Sequence, residues 1–423
     1  MLENICRLSK IGAAVSGGAD SMVMLEMLLE SGFLVTAINI EHGIRGKDSQ
    51  KDTDFVLKYC KKRGVECLPF TVNAPEYAKA QGISVELAAR ILRYRVFDDL
   101  LKNKTVDTIA LAHHKGDQAE TLLMRLFRGT GVRGLRGIVD RVGYIHPLLN
   151  RSKAEILQYA KERNIPFVSD ATNADSAYTR NFIRNEVMLL VANRYPNAEA
   201  TLSRTAEVFL ELEDYLLSEI TPHTREGNAF FLPLTTLNRH GAIAKKSVAE
   251  CLRAMGIEND IEFSHLEAII RLKDLQNNAK IDLPFGVEVI KEYERLAFVK
   301  KKDVLSFCQP FGLHNAYRLN GAEYAFIPHT AKGCSTFDPD RIPPNAVVRT
   351  RRKGDTFKKI GGGSKPLAEY FTDIKMPLRL RDSALLIASG NNILAVLDGD
   401  VGEALKITND SKKIYKIIKR EDK

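Results

Sequence analysis

Apolar and polar positions along the first half of the chain follow two alternating periods. Short apolar runs at 11–15, 33–40, 65–71 and 108–113 have the length and content of buried strands. Between them, at 22–29, 52–63 and 85–101, apolar residues recur at helical spacing. Alternation of this kind predicts an α/β domain over 1–195: an open parallel sheet with helices on both faces. The pattern changes at Pro196, which follows a helical stretch at 187–195. Residues 196–312 read as a mostly helical domain, with helices at 199–220, 243–255 and 264–273, then a hairpin of 280–282 with 286–290 and a strand at 296–300. From 313 to 423 short strands separated by Gly, Pro and Asn, with helical character at 366–373, predict a small α+β domain.

Ligands of open parallel sheets sit at the carboxyl ends of the strands. The first strand ends in Ser16-Gly17-Gly18-Ala19-Asp20-Ser21, directly before the helix at 22–29. Two glycines let a backbone turn sharply around an anion, and a helix N-terminus adds aligned N–H donors. Ser16 and Ser21 add hydroxyls, while Asp20 would repel a phosphate unless a metal lay between them. The loop carries neither GxxxxGK[ST] nor GxGxxG. Glu41-His42-Gly43 after the second strand and His113-His114 after the fourth share its crevice. Asp117, Glu120 and Thr121 then open a helix with Leu122, Leu123, Leu126 and Phe127 on its apolar face. Five arginines, Arg125, Arg128, Arg133, Arg136 and Arg141, follow with four interleaved glycines against one acid, Asp140. Arg and Gly together in a loop suit contact with phosphate or an RNA backbone. Arg90, Arg93 and Arg95 share one helix, where a solvated face and a role in the site are equally open.

Composition narrows this reading. A net charge of +9 over 423 residues favours a polyanionic partner. No apolar run approaches the roughly 18 residues that cross a bilayer, and the first ten residues lead into the first strand without room for a signal peptide. Six cysteines, Cys6, Cys60, Cys67, Cys251, Cys308 and Cys334, form no CxxC pair, so reduced, mostly buried thiols of a cytoplasmic protein are expected. His223, His240, His265, His314 and His329 show no ligand spacing, and Met22, Met24 and Met27 read as core.

The combination SGGxDS and, downstream, HHxxDQAETLLMRLxRGTGxxGL resembles the ATP pyrophosphatases, and within them the tRNA(Ile)-lysidine synthetases. Matching stretches at 41–56, 85–97, 146–156, 170–187 and 349–382 extend the resemblance over nearly the whole chain. It implies an adenine nucleotide alpha hydrolase-like sheet. It also implies ATP bound by Ser16, Gly17, Gly18, Ala19, Asp20 and Ser21, with adenosine near Ile40 and His42. Mg²⁺ on Asp20 and Asp117 is expected with the nucleotide. The implied reaction adenylates carbon 2 of the wobble cytidine of a CAU-anticodon isoleucine tRNA. Free lysine then displaces AMP, and Asp117, His113, His114 and Glu120 are all candidates to take its proton. Arg125, Arg128, Arg133 and Arg136, with Arg351, Arg352, Lys358 and Lys359 of a stretch holding ten Lys or Arg, are the expected tRNA contacts. The oligomeric state is open, a homodimer being one option. One position departs from the family pattern: Gly116 stands where an acid is usual, and aspartate there is expected to be tolerated. A tRNA thiolase, a nucleic-acid-binding protein with a vestigial nucleotide fold, and an amide-forming ligase on a small metabolite are the rivals.

Overall fold

Ile11 and Ala13 of the first strand are completely enclosed, and a strand covered on both faces needs the continuous apolar run seen there. The computed structural model describes residues 9–44, 47–168, 179–257, 261–301, 306–319, 321–333 and 335–421. Two compact units, Met1–Ser218 and Glu219–Lys423, divide the chain.

In the first unit β1 (Lys10–Ala14), α1 (Ala19–Glu30), β2 (Leu34–Glu41), α2 (Lys47–Arg63) and β3 (Glu66–Thr71) follow in sequence. Then come α3 (Ala74–Gln81), α4 (Val85–Lys102), β4 (Thr108–Ala110), α5 (Lys115–Arg128), α6 (Val132–Leu135) and β5 (Tyr144–Ile145). The unit closes with α7 (Lys153–Glu162), α8 (Thr179–Phe182), a π turn at Ile183–Val187, α9 (Met188–Arg194) and α10 (Ala198–Glu219). The five strands are parallel in the order β3-β2-β1-β4-β5. The chain therefore winds outward from β1 in one direction, then restarts on its other side with β4. Such a reversal leaves a crevice between the loops after β1 and β4.

Met22, Val23, Met24, Leu25 and Leu28 of α1 pack into the sheet core with Val56 and Cys60 of α2. On the opposite face Phe97 and Leu100 of α4 meet Ile38 and Ile109. β4 is shorter than expected because the chain leaves the sheet before His113. β5 was not anticipated, since two residues carry no readable period. Cys60 and Cys251 are buried free thiols and Cys308 an exposed one; Cys6 and Cys334 lie outside the described residues.

In the second unit an antiparallel sheet runs Thr224–Glu226, Ala229–Pro233, Arg295–Lys300, Val287–Glu292, Lys280–Leu283. Helices Gly241–Ala254 and Phe263–Arg271 share its core through Val248, Leu252 and Ile269. A six-stranded and a four-stranded sheet occupy the remainder, with a helix at Leu367–Asp373. No helix among the described residues is long and apolar enough to cross a membrane.

Inside the six-stranded part, Arg349 is 1 % exposed and forms a two-pronged pair with Asp355 at 2.7 and 2.9 Å. It also donates to the Thr350 and Gly390 carbonyls. Removing one member of a buried pair strands the other charge and costs about 3–5 kcal/mol. Asp355→Ala should lose stability on that scale, read from urea or thermal melts; a change near zero would show that the interior does not depend on the pair.

Candidate functional site

The loop after β1 is held open by its own side chains. Ser21 Oγ donates to the Gly18 carbonyl at 2.9 Å and accepts from the Ser16 N–H at 3.1 Å. Gly17 has φ +91, a left-handed conformation that glycine adopts without strain. Gly18 caps α1 with no side chain on the helix's first N–H groups, which leaves those donors for an anion. Asp20 in that first turn meets Lys153 Nζ, at the start of α7, at 2.5 Å.

A cavity of about 240 Å³ opens on this loop. Ser16, Gly18, Asp20 and Ser21 line it together with Ile38, Ile40 and His42 from β2 and its end, Arg93 and Phe97 from α4, and Leu111, Ala112 and His113 after β4. Polar hydroxyls and a cation beside an apolar wall suit a ligand with an anionic group and a flat body. Three polar atoms of the lining, His42 Nδ1, Arg93 Nε and His113 Nδ1, are shielded from solvent without a hydrogen-bond partner. Buried polar atoms are seldom left unpaired, and these three come together around one cavity. Burial, opposed by Asp117 and reinforced by the charges of Arg180 and Arg93, pushes the His113 imidazole down to about 3. Burial and Arg93 also lower His42.

Behind the cavity lies a cluster of buried charges. Asp117 and Glu120 are 8 % and 3 % exposed on the first turns of α5. Arg180 on α8 reaches Asp117 Oδ1 and Glu120 Oε2, both at 2.9 Å. Arg184, in the π turn, reaches the same Asp117 oxygen at 3.0 Å and Glu120 Oε1 at 2.6 Å. Asp117 Oδ2 accepts the His114 N–H at 2.9 Å, while His114 Nδ1 accepts from Gly116 N–H at 3.0 Å. Burial would raise the Asp117 carboxyl, but His114, Arg180 and His113 outweigh it and hold it below the ordinary carboxylate range.

A PP-loop domain model matches residues 2–191, and a TilS substrate C-terminal domain model matches 346–417. The tRNA(Ile)-lysidine synthase of Caldanaerobacter subterraneus subsp. tengcongensis is 34% identical over 434 residues, covering 96% of this chain and 93% of that protein. That of Clostridium perfringens is 30% identical over 446 residues, covering 96% and 94%. The chain belongs to the tRNA(Ile)-lysidine synthase family. Bacillus subtilis supplies a further tRNA(Ile)-lysidine synthase relative, 28% identical over 96% of this chain and 93% of its own length. The family is one of ATP-using ligases built on the PP-loop domain, and the SGGADS loop lies within the matched segment.

Several expected site residues stand apart from their anticipated roles. Asp117 does not fit a shared Mg²⁺ site with Asp20: both of its oxygens are engaged by arginines and a backbone N–H, and Asp20 is held by Lys153. No group of three or more His, Cys, Asp or Glu that could hold a metal occurs among the described residues. His114 and Glu120 are buried with Asp117 rather than in the cavity lining. Arg125 donates to the Gly134 and Gly137 carbonyls at 2.7 and 2.8 Å, bracing the Gly-rich loop rather than presenting its charge. Arg128 is exposed, and Arg133 and Arg136 are half-buried. In the second unit Arg351 is paired with Asp382 and Lys359 with Asp400, whereas Arg352 and Lys358 are exposed. Of the three arginines on α4, Arg93 lines the cavity, Arg90 lies over Tyr94 and Arg95 over Tyr77. Sequence reading missed the Arg180–Arg184 clamp. Those residues sit in the 170–187 stretch, whose first part, 170–178, lies outside the described residues.

Gly116 also gains a physical reason. A Cβ there would stand 2.8 Å from His114 Cε1 and 3.1 Å from Glu199 Oε1. Aspartate must displace the buried capping imidazole and face a second carboxylate, so the expected tolerance does not fit the structure.

The neutral state of His113 has a thermodynamic consequence. Unfolded, the imidazole titrates near 6.5; folded, it does so near 3. Between those values the unfolded chain carries a proton that the folded chain refuses, so stability falls as pH drops from 6.5 towards 3. Above 6.5 the effect is absent. His113→Asn should be less acid-sensitive over that interval, measured as the urea midpoint at two pH values. Equal losses in both proteins would show that His113 does not carry the effect.

Proposed function

We propose that this protein ligates free lysine to carbon 2 of the wobble cytidine in an isoleucine tRNA with a CAU anticodon, consuming ATP in the cytoplasm. The observation that carries the reading is the Ser16–Ser21 loop at a cavity with three unpartnered buried polar atoms, in a chain related over 96% of its length to tRNA(Ile)-lysidine synthases.

ATP occupies the cavity with its phosphates on the free N–H groups at the start of α1 and its adenosine against Ile38, Ile40 and Phe97. The cytidine carbon 2 oxygen attacks the α-phosphorus and pyrophosphate leaves. The lysine ε-amine then attacks carbon 2, and AMP departs with the original oxygen. Adenylation turns a poor leaving group into a good one, so no covalent enzyme nucleophile is needed. The attacking amine must shed a proton; His113 presents an unpartnered nitrogen to the cavity, but burial disfavours its protonated form and makes it a weak base, so Asp117, His114 and Glu120 remain candidates with it. Asp117 and Glu120, locked by two arginines, also shape the electrostatics. A Mg²⁺ ion arriving with ATP would be held from the protein side by Asp20, the loop carboxylate, and would offset the phosphate charge. Arg128, Arg133 and Arg136 on one unit, and Arg352 and Lys358 on the other, are assigned to the tRNA backbone.

The test is incorporation of labelled lysine with ATP and the tRNA, each component omitted in turn. Incorporation should need all three. Asp20→Asn should lower it by about a hundredfold, equivalent to roughly 2.7 kcal/mol, with an unchanged melting temperature. Incorporation without ATP, or near-normal pyrophosphate release from Asp20→Asn, overturns the assignment.

A further inference from the structure

Lys153 and Asp20 are 133 residues apart in the chain, yet Lys153 Nζ meets Asp20 Oδ1 at 2.5 Å. The backbone that carries the lysine is fixed. Ser152 and Glu155 cap α7 reciprocally, and Ile156 and Ala160 pack into the core shared with α1. The Lys115 N–H, at the start of α5, donates to the Arg151 carbonyl at 2.9 Å. The lysine side chain itself is exposed, and among the described residues Asp20 is the only hydrogen-bond partner of its ammonium head. An ammonium has three donors, so two of them remain available.

Asp20 stands where an anion is least welcome to a carboxylate. Among the described residues it is the single acid lining the cavity. It also lies in the first turn of α1, whose leading N–H groups carry no side-chain cap. A carboxylate there repels any anion that those donors attract. Lys153 cancels that charge, and both partners are open enough to solvent for the pair to be exchanged.

We propose that Lys153 is a phosphate-binding residue: its ammonium moves from Asp20 onto the terminal phosphates of the nucleotide held at the start of α1. This rests on the use of ATP proposed above. A lysine suits the exchange, being a compact charge on a flexible four-carbon stem, whereas an arginine fork would grip the carboxylate. When the bond from the α-phosphorus breaks, its electron pair goes to the bridging oxygen of pyrophosphate. A cation already on that pyrophosphate stabilises the charge gathering there.

The test is ATP affinity, measured by titration calorimetry without magnesium, for wild type, Lys153→Met, Asp20→Asn and the double variant. Lys153→Met should bind ATP about tenfold more weakly, the scale of one hydrogen bond between charged groups, with an unchanged melting temperature. Asp20→Asn should bind more tightly than wild type, because the repelling carboxylate is gone and Lys153 is released. Adding Lys153→Met to Asp20→Asn should again weaken binding by about tenfold or more. If the double variant binds ATP as Asp20→Asn does, Lys153 serves only Asp20 and the proposal is overturned. Unchanged affinity in Lys153→Met, or no gain in Asp20→Asn, overturns the exchange as well. Lys153→Gln takes the place of Lys153→Met should that variant fail to fold. A folded wild type that binds no ATP, with or without magnesium, refutes the ATP reading itself rather than the role of Lys153 alone.

Discussion

Two carboxylates buried at the start of one helix set the terms for everything around them. Asp117 and Glu120 could not remain charged inside the unit without Arg180 and Arg184, whose four nitrogens supply five hydrogen bonds to them. The arginines come from a segment some sixty residues later, so the pairing ties α5 to α8 and the π turn as a structural necessity. It also fixes the field at the cavity. Burial keeps His113 uncharged against the pull of Asp117, with the charges of His146, Arg180 and Arg93 adding to the effect of burial.

The two acids expected to share a metal have opposite mobility. Asp117 is enclosed and held on both oxygens. Asp20 and Lys153 keep 29% and 46% of their side-chain surfaces exposed, and solvent screening makes such a pair weak and exchangeable. A ligand arriving at the loop therefore meets Asp20, which can let go of its partner, while Asp117 stays locked behind the cavity.

The chain displayed its sheet and its loop plainly. β1 and β2 are continuous apolar runs because both faces are covered, and the Gly-Gly turn can only serve a sharp bend at a helix start. Strands as short as β5 leave no such trace. Nor does the clamp, because Arg180 and Arg184 look like any basic residues on a helix until the fold brings Asp117 to them. The basic residues misled for a related reason: a sequence shows how many charges exist but not where they point. Arg125 is spent on two carbonyls, and Arg349 lies in the interior.

The interior arginines of the second unit bear on how its surface meets a polyanion. Of ten Lys and Arg between 349 and 381, Arg349 and Arg381 are buried. Arg351, Lys359, Lys365 and Arg379 each face an acid. Among the described residues that leaves Arg352, Lys353, Lys358 and Lys375 without an acidic partner. A nucleic acid sheds condensed counterions only against cations that are not already neutralised, and each such contact contributes somewhat less than one unit to the logarithmic salt dependence. Two of the ten are thus enclosed for good, four face acids, three of them in partly exposed pairs that solvent screening leaves exchangeable, and four stand without an acid. The count of basic residues in this stretch therefore overstates the charge it presents to solvent.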